Sequence, residues 1–161
     1  MKSIAAAALA ASAFLGGCAS RGSIESTAQA AGTEKCKVAT EQEIVSLFDR
    51  WNQSLQTGDQ RAVVANYAEH SLLLPTLSNK PRLSAAEKED YFHHFLENRP
   101  AGRIDMRFVE IGCNTATDSG LYTFTFAKTG ASVSARYTFT YRWDGSKWLI
   151  TSHHSSGMPE K

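Results

Sequence analysis

Residues 136–150 read Arg136-Tyr137-Thr138-Phe139-Thr140-Tyr141-Arg142-Trp143-Asp144-Gly145-Ser146-Lys147-Trp148-Leu149-Ile150. Aromatic residues alternate with threonine from Tyr137 to Tyr141, and aromatic and β-branched side chains favour a pleated strand. Asp144-Gly145-Ser146 consists of turn formers. The stretch therefore predicts two antiparallel strands joined by a tight turn, over Val133 to Trp143 and Trp148 to Ser155.

Two further strands are predicted before this pair. The runs Arg103 to Cys113 and Gly120 to Lys128 are rich in strand-forming residues. Thr117-Asp118-Ser119 and Thr129-Gly130, which separate the runs, are typical of turns. Four long strands with short connections predict an antiparallel meander.

Helices are predicted upstream of the strands. Thr40 and Glu43 form a capping-box pattern. Apolar residues then recur at the spacing of one helix face, namely Ile44, Leu47, Phe48, Trp51 and Leu55. We expect this first helix to end at Thr57-Gly58.

Two shorter helices are predicted next, with a hairpin between them. Asp59 can cap a helix that carries Val63, Val64 and Tyr67. Leu72-Leu73-Leu74-Pro75 predicts a short strand, and Asn79-Lys80-Pro81 predicts a turn. Ser84 and Glu87 repeat the capping-box pattern before a third helix with Tyr91, Phe92, Phe95 and Leu96, which stops before Pro100.

The first residues differ in composition from the rest of the chain. One positive charge precedes Ile4 to Leu15, a stretch of apolar or small residues that is shorter than the roughly 20 residues of a spanning helix. Leu15-Gly16-Gly17-Cys18 resembles a bacterial lipobox. This predicts a lipoprotein signal peptide over residues 1–17, lipidation of Cys18 and a periplasmic protein anchored in the outer membrane. The alternative is an ordinary signal peptide cut later, at a site such as Ala28-Gln29-Ala30.

Residues 18–37 are mostly small and polar, so they are predicted to form a tether rather than part of a core. With Cys18 lipidated, Cys36 and Cys113 remain as an even pair. In an oxidising compartment such a pair predicts a disulfide, and two buried free thiols are the alternative. The cysteine spacing gives no zinc signature.

The order helix, helix, short hairpin, helix and four strands is that of the nuclear transport factor 2-like superfamily. The stretch from Arg136 to Ile150, with His153-His154-Ser155-Ser156-Gly157-Met158-Pro159 after it, resembles the last strands and tail of the calcium/calmodulin-dependent protein kinase II association domain and its stand-alone bacterial, SnoaL-like relatives. Gly58-Asp59 agrees with the same group. The resemblance implies an α+β cone over residues 38–159, in which three N-terminal helices pack on a curved antiparallel meander sheet.

The resemblance also implies a homo-oligomer assembled through the sheet and a pocket between sheet and helices. An apolar sheet face that the helices leave uncovered needs a partner, which agrees with a homodimer or higher oligomer. The 17 basic and 16 acidic residues give no basic field, so nucleic acid is not an expected partner. No GxGxxG loop is present, and no cofactor is expected.

Arg136 is a candidate ligand contact because an inward guanidinium would hold a carboxylate or phosphate. The related association-domain pocket is lined by arginines, whereas Phe124 stands here where one of them is expected. The alternative places Arg136 at an interface or in water. Trp51 and Tyr122 are candidate pocket walls, or else plain core.

His153 and His154 are adjacent on a strand, so their side chains leave opposite faces and cannot chelate one metal together. The resemblance favours His154 as the pocket residue, and alternation leaves His153 as the other choice. A hydrogen-bonded structural histidine is the plainer interpretation of either residue.

Two groups of residues that include acids are candidates for a catalytic or metal site. Ile104, Met106, Phe108 and Glu110 share the more apolar face of the first long strand, which makes Glu110 the one candidate inward carboxylate. Glu89, His93 and Glu97 share a helix face, but the HExxH pattern and a third ligand are missing, so ion pairs on a solvated face are expected and no metal site is predicted.

Two alternative functions are consistent with these sequence features. The first is an exported, homo-oligomeric module that binds a small anionic or polar organic molecule in the cone. The second is a cofactor-free isomerase, dehydratase or cyclase that uses an inward acid or base in an apolar cavity. A fold alone does not separate these functions.

Overall fold

The computed structural model describes residues 35–160. Its elements run in the order α1 (Glu41–Leu55), α2 (Gln60–Val64), β1 (Tyr67–Leu74), α3 (Ala85–Leu96), β2 (Pro100–Ile111), β3 (Thr115–Phe126), β4 (Ser132–Trp143) and β5 (Trp148–Gly157). The α+β prediction is confirmed. No helix within residues 35–160 is both long and apolar enough to cross a membrane.

The helix starts follow the capping patterns of the sequence. The Thr40 side chain accepts a hydrogen bond from the Glu43 backbone N–H, Asp59 accepts one from Arg61, and Ser84 and Glu87 form a complete capping box. The helices therefore begin where local side chains satisfy their first N–H groups.

The five strands form one sheet in the order β1-β5-β4-β3-β2. The long strands pair antiparallel as predicted, whereas β1 joins the edge parallel to β5. Tyr67, expected on the second helix, opens β1 instead. The predicted hairpin after β1 is reduced to one antiparallel bridge between Leu73 and Arg82.

A β-bulge in β2 changes which of its side chains face the helices. Ile104 pairs with Tyr122 and Met106 pairs with Leu121, so Asp105 is an extra residue without a cross-strand partner. Met106 and Phe108 are consequently exposed on the outer face, and Arg107 turns inward. Gly120 lies against this bulge, where a Cβ atom would stand 2.0 Å from the Met106 carbonyl oxygen.

The core lies between the concave face of the sheet and α1 and α3. Trp51 and Phe48 of α1 and Phe92 of α3 pack on Phe139 and on neighbouring inward residues of β3, β4 and β5. Large fully buried side chains are characteristic of the close-packed interior of a single domain.

The segment before α1 is fastened to the far end of the sheet. Cys36 and Cys113 form the predicted disulfide. The Lys37 backbone N–H donates to Asn114 Oδ1 at 2.8 Å, and Lys37 Nζ lies 3.3 Å from Glu43 Oε1. The end of the segment predicted as a tether is thus held against the β2–β3 turn and the start of α1.

Candidate functional site

A cavity of about 490 Å³ lies between α1, α3, the loop after β1 and one half of the concave sheet face. Its walls are largely aromatic and include Trp51, Phe92, Phe95 and Phe124. Cavities of this size, mostly apolar with a few polar groups, are typical small-molecule sites.

Three hydroxyl groups form a hydrogen-bonded chain in the wall of this cavity. The Tyr122 hydroxyl donates to Ser155 Oγ at 2.5 Å, and Ser155 Oγ is hydrogen-bonded to Thr76 Oγ1. Tyr122 and Ser155 are buried. Burial raises the pKa of Tyr122 well above its ordinary value, so the phenol stays protonated. We call Tyr122, Ser155 and Thr76 the hydroxyl chain.

His153 lines the same cavity and is 3 % exposed. Its Nδ1 atom is hydrogen-bonded to the Tyr67 hydroxyl at 2.9 Å, and its ring stacks on Phe139 at 4.0 Å between centroids. Nε2 is buried and has no hydrogen-bond partner among the described residues. Burial, and to a lesser extent the neighbouring His154, lowers the pKa of His153 to about 3, so the imidazole is neutral at pH 7.

The tautomer of His153 follows from its partner. A phenol is the better donor of the pair, so Tyr67 donates to Nδ1 and the ring proton resides on Nε2. Burial raises the pKa of Tyr67, and the indole N–H of Trp51 lowers it to a lesser extent, although this N–H makes no hydrogen bond of ordinary geometry. A donor near the phenol oxygen agrees with Tyr67 giving its own proton to His153. His153 therefore offers an N–H donor that needs an acceptor.

We expect the His153 pKa to make stability depend on pH. The unfolded histidine takes up a proton near pH 6.5, whereas the folded one does so only near pH 3. Acid therefore favours the unfolded chain, and stability falls as the pH drops through this window. From pH 6.5 to 5 the loss is about 2 kcal/mol.

Urea unfolding at pH 7.5, 6 and 5 measures this loss. His153→Gln should remove it, while the matched variant of the exposed neighbour, His154→Gln, should keep the wild-type dependence. Parallel pH curves for the wild type and His153→Gln would contradict the assignment.

Trp51, Tyr122 and His153, all candidates from the sequence, are brought together in this cavity. His154, which the resemblance favoured, is exposed on the opposite face. A bulge in β5 is the reason: Thr140 pairs with Ser152 and Tyr141 with Ile150, so strict alternation from Ile150 is broken at Thr151 and His153 turns inward.

Arg136 does not line the cavity, in contrast to the expectation that its guanidinium points into the cone. The side chain is exposed on the outer face, where Nη2 donates to the Gly157 carbonyl at 3.3 Å. Its neighbours Ala135 and Tyr137 are the inward residues of β4. The expectation failed because the two-residue period cannot tell which of the two faces is covered.

Glu110 is likewise exposed on the outer face, so the prediction that it is an inward carboxylate is wrong. The β2 bulge reverses the face that the alternation implied. The inward acid is Asp118, which had been placed in a turn. It is fully buried and joined to Arg107 Nε at 3.1 Å and to the Tyr137 hydroxyl at 2.7 Å.

The grouping predicted on the third helix is rearranged. Glu89 lies 3.9 Å from Arg61. His93, His94 and Glu97 have ligand atoms within 4.8 Å of one another, and His94 Nδ1 lies 3.4 Å from Glu97 Oε1. All three side chains are exposed, and ion pairs of this kind contribute little stability.

Solved structures share this architecture. An association-domain protein from Xanthomonas campestris is 43% identical, with a TM-score of 0.72, over 80% of this chain and 98% of its own. The iota-carbonic anhydrase of a cyanobacterium, complexed with bicarbonate, is 21% identical with a TM-score of 0.66 over 79% and 99% of the two chains. A nuclear transport factor 2-like protein from Pseudomonas putida KT2440 is 18% identical with a TM-score of 0.65 over 76% and 89%. No curated protein matches the chain in sequence.

The curved five-stranded sheet, the helices on its concave side and the cavity between them define a nuclear transport factor 2-like fold. The model of the calcium/calmodulin dependent protein kinase II association domain matches residues 40–159. The chain belongs to that association-domain family.

Proposed function

We propose that this chain is an exported, homo-oligomeric association-domain protein whose cavity binds a small polar or anionic organic molecule. The observation that carries the proposal is the buried Nε2 of His153, a donor without a partner among residues 35–160, in the wall that also holds the hydroxyl chain. A buried donor without a hydrogen-bond partner destabilises the folded protein. A ligand oxygen that accepts a hydrogen bond from this N–H removes that cost, which favours binding.

The ligand is expected to be small and partly flat. Aromatic rings surround much of the space, and His153 and Ser155, two residues apart on β5, place an imidazole and a hydroxyl side by side at one corner of it. A carbonyl, carboxylate or carbonate oxygen fits that corner, because both the imidazole N–H and a hydroxyl can donate to it.

Self-association is supported by the outer face of the sheet. Met106 and Phe108, turned outward by the β2 bulge, are 51% and 59% exposed. Large apolar side chains in water favour contact with a second copy of the same surface.

Export to the periplasm as an outer-membrane lipoprotein belongs to the same proposal. It is supported by the apolar stretch before Cys18, whose lipobox pattern lies outside the described residues, and by the disulfide between Cys36 and Cys113.

Native mass spectrometry of the protein purified without added ligand tests the proposal, since it reports the assembly and any retained molecule together. We expect a symmetric oligomer with a small molecule bound. Ser155→Ala removes a hydroxyl from the cavity and should lower retention about tenfold or more. Ser156→Ala, on the neighbouring residue that does not line the cavity, is the matched control.

Two results would overturn the proposal. A wild-type monomer contradicts the assembly. A wild-type protein that stays empty after purification and after equilibration with bicarbonate, acetate and benzoate contradicts the ligand site.

A second candidate is cofactor-free catalysis on such a molecule, and the hydroxyl chain favours it. Three linked hydroxyls beside a neutral imidazole can hold and pass a proton inside an apolar cavity. The cyanobacterial carbonic anhydrase with this fold holds bicarbonate, so hydration of CO₂ is the reaction to assay first. Activity in the wild type and Ser156→Ala, lost in Ser155→Ala, would favour the enzyme over the binding module.

The isomerase, dehydratase or cyclase alternative has lost its candidate carboxylate, because Glu110 faces outward, and keeps His153 as the acid or base that lines the cavity. Asp118 faces inward but is bonded to Arg107 and Tyr137 and does not line the cavity.

A further inference from the structure

We propose that Arg82 is the charge-recognition residue of this cavity, and that the ligand is an aryl or short-chain carboxylate bound by its acid group at Arg82 and by an acceptor oxygen at His153. This inference rests on the proposed function of the cavity. It adds the charge of the ligand and the separation of its two polar ends.

The backbone places Arg82 and His153 in one row across the sheet. The Arg82 N–H donates to the Leu73 carbonyl at 2.9 Å, and the Leu73 N–H donates to the Arg82 carbonyl at 3.0 Å. Leu73 in turn is the cross-strand partner of His153. Directly opposed residues project to the same face, so all three side chains belong to the concave side.

The spacing of this row also limits the length of the ligand. Two strand spacings separate the backbones of Arg82 and His153, which is about 10 Å. A ligand that bridges the two groups therefore needs its acid and its acceptor oxygen at opposite ends of a body about as long as one benzene ring.

The Arg82 guanidinium lies in the cavity wall, and the surrounding residues satisfy its charge and its N–H groups only in part. The side chain is 15% exposed, and Nε is buried without a hydrogen-bond partner among the described residues. The guanidinium carbon lies 5.9 Å from the centre of the Tyr91 ring. Its ion-pair partner is largely in solvent: Nη1 lies 3.5 Å from Oδ2 of Asp90, whose side chain is 63% exposed, so water screens this pair.

No other charged side chain that lines the described cavity would repel an anion. None of the described residues that line the cavity is an aspartate or a glutamate. His153 is the buried histidine of the wall, and His94 lies exposed at the opening. A partly desolvated cation in an apolar cavity without acids favours a negatively charged ligand.

Isothermal titration calorimetry of the full chain with two probes tests the inference. 4-Hydroxybenzoate carries a carboxylate and a hydroxyl across one ring, and 4-hydroxybenzamide has the same shape without the charge. We expect the wild type to bind the carboxylate at least tenfold more tightly than the amide. Arg82→Gln should lower carboxylate affinity about 10- to 100-fold and leave amide affinity unchanged.

Arg136→Gln, on the outer face, is the matched control and should bind both probes as the wild type does. Arg82→Lys keeps the charge but loses the planar fork, so it should fall between the wild type and Arg82→Gln, and it serves if Arg82→Gln does not fold. Equal affinity of the wild type for both probes, or an unchanged Arg82→Gln, overturns the role of Arg82 while the cavity stands as a binding site. A wild type that binds neither probe overturns the ligand class, and native mass spectrometry then decides the proposed function separately.

Discussion

Asp118→Ala is expected to lower the free energy of unfolding by about 3–5 kcal/mol, which is the cost of removing one partner of a buried ion pair. Asp118 is fully buried, and its Oδ1 receives both Arg107 Nε and the Tyr137 hydroxyl. Without the carboxylate, the Arg107 side chain, 19% exposed, keeps its charge with no acid beside it. Chemical denaturation at pH 7 measures the loss.

Glu110→Ala is the matched control, because Glu110 lies on the strand paired with β3 but is exposed, and it should change stability by less than about 0.5 kcal/mol. The double variant Asp118→Ala with Arg107→Met should recover part of the loss, since it removes the uncompensated charge. An Asp118→Ala protein within about 1 kcal/mol of the wild type would show that the pair is dispensable.

Burial raises the pKa of Asp118, and the hydrogen bonds from Tyr137 and Arg107 offset this only in part. The ionised carboxylate is therefore costly to the fold even with its partners present. Part of the cost is visible as buried atoms without hydrogen bonds among residues 35–160, namely Asp118 Oδ2, Arg107 Nη2 and the Tyr141 hydroxyl. This polar cluster occupies one half of the concave face, and the cavity occupies the other.

Replacing Cys36 and Cys113 together by serine is expected to cost about 4 kcal/mol, because the disulfide closes a long loop and restricts the unfolded chain. Both cysteines are exposed, so a reductant can reach the bond in the folded protein. Guanidinium unfolding with and without dithiothreitol measures the effect. Reduced wild type should match the double variant.

The double variant supplies its own control, since dithiothreitol should leave it unchanged. Neither cysteine lines the cavity, so its binding of the probes should equal that of the wild type. Equal unfolding midpoints for oxidised wild type and the double variant would contradict a stabilising role.

The local signals of the sequence predicted most of the elements. Capping residues such as Thr40 and Ser84 marked the helix starts to the residue, because a cap is a contact between groups three positions apart. Turn residues separated β3 from β4 and β4 from β5 for the same reason, whereas Thr117-Asp118-Ser119, predicted as a turn, lies inside β3. The parallel pairing of β1 with β5 escaped prediction, because it joins residues far apart in the chain.

The candidate site was predicted in part. Trp51, Tyr122 and His153 were named from the sequence and line the cavity, whereas Arg82 and the buried Asp118 were not singled out. Arg82 lies in a segment with neither helix nor strand periodicity. Asp118 follows a threonine and precedes a serine, which is the composition of a turn.

The sequence by itself determined the family, the helix starts, the run of long strands and the cysteine pair, all of which depend on local chemistry or on a quoted motif. The tertiary structure decided which face each strand residue presents. One extra residue at Asp105 and another at Thr151 reverse the alternation beyond them, so that Arg107 and His153 turn inward and Glu110 and His154 turn outward. The physical reason is the two-residue period of a strand: a single bulge exchanges its faces, and the bulge arises from pairing and packing with other strands.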